Sequence, residues 1–180
     1  MTKTSTINRE IQKPIALIGH MGSGKTTIGK LLSSELDIVF YDSDREIEKS
    51  LNMMINEIFQ SKGEDAFRKY EFEIIKDLLS KKNCIIATGG GAFIYKKTRE
   101  LILKKSTSIW LKPDISIIAR RIEKTKKRPL LEGKNKLTKL QELSKVRDPI
   151  YSEANLVIEA HNLNKYQIVD KIILQLNKYF

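Results

Sequence analysis

The sequence has a single cysteine, Cys84, among its 180 residues. One cysteine cannot form an internal disulfide, and without a second thiol or a clustered histidine it is expected to be a small buried apolar side chain. The two histidines, His20 and His161, are far apart in the sequence and belong to no metal-ligand pattern. A disulfide-stabilised domain and a cysteine-histidine metal site are therefore not expected.

Long apolar runs are missing as well. No segment approaches the roughly 20 apolar residues of a membrane-spanning helix, and residues 1–13 lack the hydrophobic core of a secretory signal. Hydrophobic residues make up 41% and charged residues 31% of the chain, which is typical of a globular protein. We expect a polar extension over residues 1–13 and one domain over residues 14–180. We further expect a cytoplasmic monomer with no membrane partner.

The net charge of +11 is concentrated in one segment, because residues 120–139 contribute +7 of it. A basic protein can bind nucleic acid, but this segment has no aromatic side chain on which bases could stack. No nucleic-acid partner is therefore expected. A lid over about residues 123–136 that closes on phosphates explains the charge better. Arg128, held toward extended backbone by the following Pro129, is the candidate to reach a transferring phosphoryl group.

One motif is complete. Residues 19–26, GHMGSGKT, match the G-x-x-x-x-G-K-[ST] phosphate loop. The apolar run before the motif, residues 14–18, predicts a buried strand, and the periodic run after it predicts a helix that begins near Lys25 and extends to Leu36. Because the motif has both flanking elements that it requires, a nucleoside triphosphate site is favoured over a chance match.

The residue types in this loop suit that role. Its glycines let backbone N–H groups turn inward, and the positive end of the following helix adds to the anion site. Lys25 is expected to reach the β- and γ-phosphates, while the hydroxyl of Thr26 is a hard ligand suited to Mg²⁺. The residues assigned to ATP here are Gly22, Ser23, Gly24, Lys25, Thr26 and Thr27.

Two carboxylates follow the second predicted strand, residues 38–41. In extended backbone residues two apart face the same way, so Asp42 and Asp44 are predicted to leave this strand side by side. The alternative is that Asp44 only caps the following helix, predicted over residues 45–50, which leaves Asp42 unexplained. A phosphate loop needs a nearby acid to hold Mg²⁺ and water, and this favours a functional role for the pair.

Two further candidates are weaker when taken alone. In the helix predicted over residues 63–79, Arg68 has Glu71 three residues on, a spacing that permits an ion pair, although such an arginine is typically a solvated helix charge. The third predicted strand, residues 84–88, runs into Gly89, Gly90 and Gly91, whose backbone can approach a small polar ligand closely. The alternative is a flexible turn, which needs fewer glycines.

Arg147 ends a helix predicted over residues 137–147 and continues the apolar stripe of Leu140 and Leu143. An inward guanidinium needs an anion, which could be a structural carboxylate or the substrate. Asp148 and Pro149 are expected to end this helix. The remaining predicted elements are helices over residues 98–103 and 114–122, strands over residues 106–111 and 156–158, and a closing helix that contains Ile168 and Leu176.

In this order and spacing, the motifs closely resemble those of shikimate kinases. The resemblance runs from about residue 14 to residue 151 through GHMGSGKTTIGKLL, FYDSD, INEIF, GEDAFRKYE, IIATGGG, RPLL and RDPIY. It implies a three-layer α/β fold of the nucleoside monophosphate kinase type, with a five-stranded parallel sheet in the order 2-3-1-4-5. It also implies transfer of the ATP γ-phosphoryl group to the 3-hydroxyl of shikimate, on the route to chorismate and the aromatic amino acids.

The resemblance also implies roles for single residues. Arg68 and Arg147 would hold the carboxylate of shikimate, with Gly89, Gly90 and Gly91 as backbone donors. Asp44 would receive the ring hydroxyls and act as the general base, beside Lys25 and Arg128 as the other catalytic residues. Asp42 would hold Mg²⁺ through water next to Thr26, and Arg121 would lie over the adenine. The rival interpretations are a gluconate or nucleoside monophosphate kinase of the same fold, and a non-catalytic ATP-binding module.

Overall fold

The computed structural model describes residues 12–123 and 136–180, in which strands and helices alternate. The five strands in these ranges are β1 Ile15–Ile18, β2 Val39–Asp42, β3 Cys84–Ala87, β4 Thr107–Lys112 and β5 Leu156–Glu159. The seven helices in the same ranges are α1 Lys25–Leu36, α2 Ser43–Leu51, α3 Ile55–Leu78, α4 Lys96–Lys105, α5 Ile115–Glu123, α6 Lys136–Tyr151 and α7 Lys165–Tyr179.

The strands form one parallel sheet in the order β2-β3-β1-β4-β5, which confirms the predicted topology. Strand β1 is central, and Ile15 pairs with Ile85 of β3 on one side and with Thr107 of β4 on the other. The chain order reverses at β1, because β3 and β4 lie on its two sides. In open α/β sheets, ligands bind at the carboxyl ends of the strands at such a point.

Both faces of the sheet are covered by helices, and for this reason its strands are continuously apolar. The side chains of Ile15 and Leu17 in β1 pack in the layer formed with α1 and α7. Those of Ala16 and Ile18 point to the opposite layer, formed with α3, α4 and α6. All four are fully buried, and Cys84 of β3 is buried as predicted.

Helices α2 and α3 pack on each other around a smaller cluster of Ile47, Ile58 and Phe67. Helix α3 is two helical segments joined at a kink, where Gly63 has φ 78° and ψ 173°. The second segment, which begins near the predicted residue 63, carries Arg68. Its packing against α2 brings that arginine to the carboxyl edge of the sheet.

The prediction that Asp148 and Pro149 end a helix is wrong. Helix α6 continues through Pro149 to Tyr151, and the Ser152 N–H still donates to the Asp148 carbonyl at 2.9 Å. A proline lacks the amide that would bond one turn back, but that loss falls in the last turn of the helix. Tyr151 is fully buried in the second layer, and this packing outweighs the local preference.

None of the helices in the described ranges combines the length and the apolar character that crossing a bilayer demands.

Candidate active site

The phosphate loop connects β1 to α1 at the centre of the sheet. Gly22 and Gly24 have φ values of 76° and 98°, which side-chain-bearing residues rarely adopt, and Gly24 is the N-cap of α1. The Ser23 N–H donates to the His20 carbonyl at 3.1 Å and closes the turn. The loop therefore has the conformation and the helix N-terminus that the sequence predicts for an anion site.

Lys25, the first residue of α1, is buried inside this loop. Its Nζ donates to the carbonyls of Gly19 at 2.8 Å and His20 at 2.9 Å. The ammonium group is thus fixed at the base of the loop, where phosphate oxygens would be within its reach. Thr27 lies exposed in the first turn of the same helix.

Asp42 ends β2 and contacts the start of α1. The Thr26 hydroxyl donates to Asp42 Oδ2 at 2.7 Å, and Asp42 makes no capping bond with its side chain although it is the N-cap of α2. A hydroxyl and a carboxylate in contact are hard oxygen ligands of the kind that Mg²⁺ prefers. The residues present therefore fit a magnesium ion at this place.

The expectation that Asp42 and Asp44 share an extended segment is wrong. Helix α2 begins at Ser43, so Asp44 lies in its first turn, where the helix dipole favours a negative charge. Asp44 is also not the N-cap. Asp42 contacts Thr26 at the start of α1, whereas Asp44 approaches Gly89 after β3, so the two acids face different segments.

The three glycines after β3 leave room for side chains from other elements. A Cβ on Gly89 would lie 2.7 Å from Asp44 Oδ1 and from Glu71 Oε1, and one on Gly91 would lie 2.6 Å from Arg68 Nη2. The Gly89 N–H donates to Ser43 Oγ at 3.0 Å, so this predicted backbone donor is already bonded within the protein. Gly90 borders the phosphate loop, since a Cβ there would lie 3.0 Å from the Met21 amide nitrogen.

Arg68 is not the solvated charge that its position in the helix would indicate. Its side chain is only 15% exposed, and Nη1 donates to Glu71 Oε2 at 2.6 Å while Nη2 donates to Glu64 Oε1 at 3.0 Å. The guanidinium also lies 4.6 Å from the centre of the Tyr95 ring. Although burial opposes it, the Glu71 carboxylate raises the pKa of Arg68, which stays cationic. The permitted ion pair with Glu71 is confirmed.

Arg147 lies on α6 near the same glycines. It is half-buried, on the helix whose Leu140 is buried and whose Leu143 is half-buried. The Tyr151 hydroxyl, one turn on, donates to the Gly90 carbonyl at 2.6 Å. Burial raises the pKa of Tyr151 to about 12, and the positive charges of Arg147 and Arg68 oppose that rise. The charges of both arginines therefore influence the pKa of one hydroxyl, which lies beside Gly90.

Comparison with known proteins identifies the family. A family model described as shikimate kinase matches residues 21–177. The shikimate kinase of Bartonella henselae is 41% identical over 167 residues, covering 93% of this chain and 80% of that protein. The shikimate kinase of Zymomonas mobilis is 44% identical over 164 residues, covering 91% and 93%. The chain belongs to the shikimate kinase family.

Solved structures agree with membership of the shikimate kinase family. A shikimate kinase from Acinetobacter baumannii in complex with shikimate has a TM-score of 0.89 and 34% identity, covering 96% of this chain and 98% of that chain. A gluconokinase from Sinorhizobium meliloti has a TM-score of 0.58 and 17% identity, which shows a shared fold alone. The prediction of a shikimate kinase, an ATP-using enzyme, is confirmed over a gluconate or nucleotide kinase and over a non-catalytic module.

Sequence reasoning missed the importance of Glu71 to this shikimate kinase site. Glu71 is 1% exposed, between Arg68 and Asp44, and within the described residues no donor reaches its Oε1. Burial raises the pKa of Glu71 to about 7, even though Arg68 opposes the shift. The available signal was its spacing, because Phe67, Glu71, Ile75 and Leu78 form the buried stripe of this helix.

Two arginines assigned to ATP from the sequence, Arg121 and Arg128, remain to be located. Arg128 and residues 124–135 of the predicted lid lie outside the described residues. Arg121, near the end of α5, is exposed, and its Nη1 donates to the Gly22 and Ser23 carbonyls at 3.3 and 3.4 Å. Its guanidinium therefore lies on the outer side of the phosphate loop.

Proposed function

We propose that this chain transfers the γ-phosphoryl group of ATP to the 3-hydroxyl of shikimate, giving shikimate 3-phosphate and ADP on the route to chorismate and the aromatic amino acids. One observation carries the proposal: the glycine segment that separates Asp44 from Arg68 also borders Met21 of the phosphate loop. An acceptor held between that acid and that arginine would lie beside the end of the nucleotide.

The acceptor side suits a small ring with one carboxylate and several hydroxyls. Arg68 and Arg147 are the proposed partners of the carboxylate, since a guanidinium binds a carboxylate through two parallel hydrogen bonds. Glu71 holds the Arg68 guanidinium through Nη1, and the exposed Glu64 carboxylate now accepts from its Nη2, where the substrate carboxylate would take the place of Glu64. Asp44 accepts hydrogen bonds from the ring hydroxyls, and the backbone of Gly89, Gly90 and Gly91 forms the wall against which the ring packs.

The transfer step depends mainly on position and charge. A loose phosphoryl transition state requires little of a base, so Asp44 chiefly orients the 3-hydroxyl and accepts its proton as the bond forms. Lys25 neutralises charge on the phosphates from inside the loop, and Arg128 is the proposed second cation. Gly22, Ser23, Gly24, Thr26 and Thr27 are the further ATP contacts, with Arg121 above the adenine.

The metal of the reaction is proposed to be Mg²⁺. Thr26 through its hydroxyl, and Asp42 through a water molecule, are the residues that would hold it. A magnesium ion supplies charge neutralisation to the phosphate oxygens when bound.

The proposal also takes the chain to act as a monomer in the cytoplasm.

The test is a coupled ADP-release assay with shikimate, gluconate and a panel of nucleoside monophosphates, each with and without Mg²⁺. Shikimate alone should support turnover, and chelation of the metal should abolish it.

The substitution Arg68→Ala should raise the KM for shikimate roughly a hundredfold, since a hydrogen-bonded charge is lost from a desolvated site. Arg45→Ala, on the exposed face of α2, is the matched control. Turnover with gluconate or a nucleotide instead of shikimate would overturn the substrate.

A further inference from the structure

We propose that His20 is a positioning residue for Arg147: its hydrogen bond to Asp148 holds the end of α6 against the phosphate loop. This inference rests on the proposed role of Arg147 as a partner of the substrate carboxylate. It assigns a function to a variable position of the phosphate-loop pattern, where any residue type satisfies the motif.

The contact joins two parts of the chain that are 128 residues apart. His20 Nε2 lies 2.8 Å from Asp148 Oδ1, and the His20 side chain is only 8% exposed. The other carboxylate oxygen, Asp148 Oδ2, accepts a hydrogen bond of 2.8 Å from Ser144 Oγ, one turn earlier on α6. Both oxygens of Asp148 are therefore engaged, and its rotamer is fixed.

The chemistry of the contact determines which atom donates. A carboxylate only accepts, so the His20 Nε2 atom must carry the proton that lies between the two groups. Burial lowers the pKa of His20 despite the opposing effect of Asp148, and the charges of Arg147 and Lys25 act in the same direction as burial. The ring is thus a neutral donor to a charged acceptor, a stronger bond than one between two neutral groups.

Arg147 directly precedes the two points at which the end of α6 is attached. Asp148, the next residue, is bonded to the phosphate loop, and Tyr151, one turn beyond Arg147, is bonded to the Gly90 carbonyl. The His20 and Tyr151 rings also meet edge to face, with centroids 5.0 Å apart and an angle of 83° between planes. The arginine backbone is therefore fixed relative to both halves of the site.

The apolar contacts of helix α6 come from a few residues. Among residues 137–151, Leu140 and Tyr151 are buried, and the half-buried Leu143 and Ile150 pack against the same clusters. The hydrogen bonds of Asp148 and Tyr151 add direction to this packing, because apolar contacts alone fix a position less strictly. A small shift of the helix end would displace the guanidinium, which lies at the tip of a long side chain.

The His20 main chain has a separate role. Its carbonyl accepts the hydrogen bond from Lys25 Nζ, and this contact survives any change of the side chain. Removing the ring should therefore leave the ATP side of the reaction intact and alter the acceptor side. A split between the two KM values distinguishes positioning of Arg147 from general damage to the phosphate loop.

The experiment measures steady-state kinetics for both substrates in His20→Leu, His20→Gln and Asp148→Ala. For His20→Leu and Asp148→Ala we expect the shikimate KM to rise about tenfold, which corresponds to the loss of about 1.4 kcal/mol from one charge-assisted hydrogen bond. The ATP KM and kcat should stay within about twofold, as expected for lost binding of the acceptor alone. His20→Gln keeps an N–H donor and should recover most of the shikimate affinity.

The matched control is His161→Leu. His161 Nδ1 pairs with Asp114 Oδ1 at 2.5 Å, and both residues line the same small cavity as His20, but this pair holds neither the phosphate loop nor α6. Its shikimate KM should equal that of the unaltered protein. An equal rise in His161→Leu, or no recovery in His20→Gln, would overturn the positioning role.

A double-mutant cycle with Arg147→Ala separates this inference from the function on which it rests. If His20 acts through Arg147, His20→Leu should raise the shikimate KM in the unaltered protein and have no further effect in the Arg147→Ala background. Full additivity of the two effects would contradict the inference while leaving the substrate role of Arg147 in place. An Arg147→Ala variant with unchanged shikimate KM would instead remove the proposed role of Arg147, and the inference with it.

Discussion

The site contains two groups of three glycines that serve different physical needs. In the phosphate loop, Gly19, Gly22 and Gly24 all have positive φ, between 76° and 132°. The group at residues 89–91 has no positive φ, and there an added Cβ would lie within 3.0 Å of atoms from three other segments. The first group is required by backbone conformation, and the second by the space that Asp44, Glu71, Arg68 and the Met21 backbone occupy.

This difference explains which half of the site a sequence can predict. A conformational requirement is local, so it produces a fixed pattern within eight consecutive residues, and GHMGSGKT could be interpreted without a structure. A requirement for space depends on what folds against the glycines. Three consecutive glycines alone do not say that Asp44, Glu71 and Arg68 will be their neighbours.

The largest effect should come from the cation inside the phosphate loop. Lys25→Met keeps the length of the side chain and removes the charge, so kcat should fall by roughly 10²–10³, as for other groups that neutralise developing charge. The shikimate KM should stay within about twofold, since the carbonyls of Gly19 and His20 hold Lys25 Nζ inside the phosphate loop. Steady-state kinetics with both substrates check this. A loss in kcat below tenfold would contradict the role of Lys25, and a large rise in the shikimate KM would show that the two halves are less separate than the glycines indicate.

The next effect tests the requirement for space. In Gly89→Ala the new methyl group would lie 2.7 Å from both Asp44 Oδ1 and Glu71 Oε1, so those carboxylates must move. Overpacking of this kind costs about 1–3 kcal/mol, and the shikimate kcat/KM should fall at least tenfold. The ATP KM should not change. A rise in the ATP KM as large as the fall in the shikimate kcat/KM would contradict the separation of the two halves of the site.

A third variant tests the requirement for conformation. Gly24→Ala places a side chain at φ 98°, while its Cβ would be no closer than 3.3 Å to a neighbouring atom. The strain of about 1–2 kcal/mol should raise the ATP KM about tenfold or less and lower the melting temperature. The shikimate KM should be unaffected. Gly24→Ala should therefore weaken the use of ATP alone, and Gly89→Ala the use of shikimate alone. Titration calorimetry with each substrate would check this difference.

The last effect concerns the pH dependence of stability and not catalysis. Burial raises the pKa of Glu71 to about 7 from 4.5, so the folded state holds its proton where the unfolded state has lost it. The resulting contribution to the free energy of unfolding is fully present below about pH 4.5 and is lost as the pH rises through about 7, by up to about 3 kcal/mol.

Glu71→Gln should remove that dependence, because the amide does not titrate. Urea unfolding at pH 5 and pH 8 gives the free energy of unfolding of both proteins. Relative to the unaltered protein, the variant should be more stable at pH 8 than at pH 5. An identical change with pH in both proteins would contradict the raised pKa.

The strands were predictable because each is a short apolar run, and the sheet order came from the resemblance. The errors share one cause. The end of α6 at Tyr151 depends on a buried ring, and the helical position of Asp44 depends on where β2 ends. Each is decided by packing between distant segments, which no local pattern records.

The same distinction applies to His20. The phosphate-loop pattern admits any residue at this position, and the partner that gives the side chain its place lies 128 residues away. Nothing in the spacing of the motif identifies that contact. Residues that fill the variable positions of a strong motif are therefore where a structure adds most to a sequence.

The buried position of Cys84 has a practical consequence for handling this enzyme. Its thiol is 1% exposed, and burial raises its pKa to about 11, so almost no reactive thiolate exists at neutral pH. Alkylating reagents and mild oxidants should leave the native protein unmodified, and storage should not require a reductant. A cysteine introduced on the surface could then carry a fluorophore at a single site without competition from the native thiol.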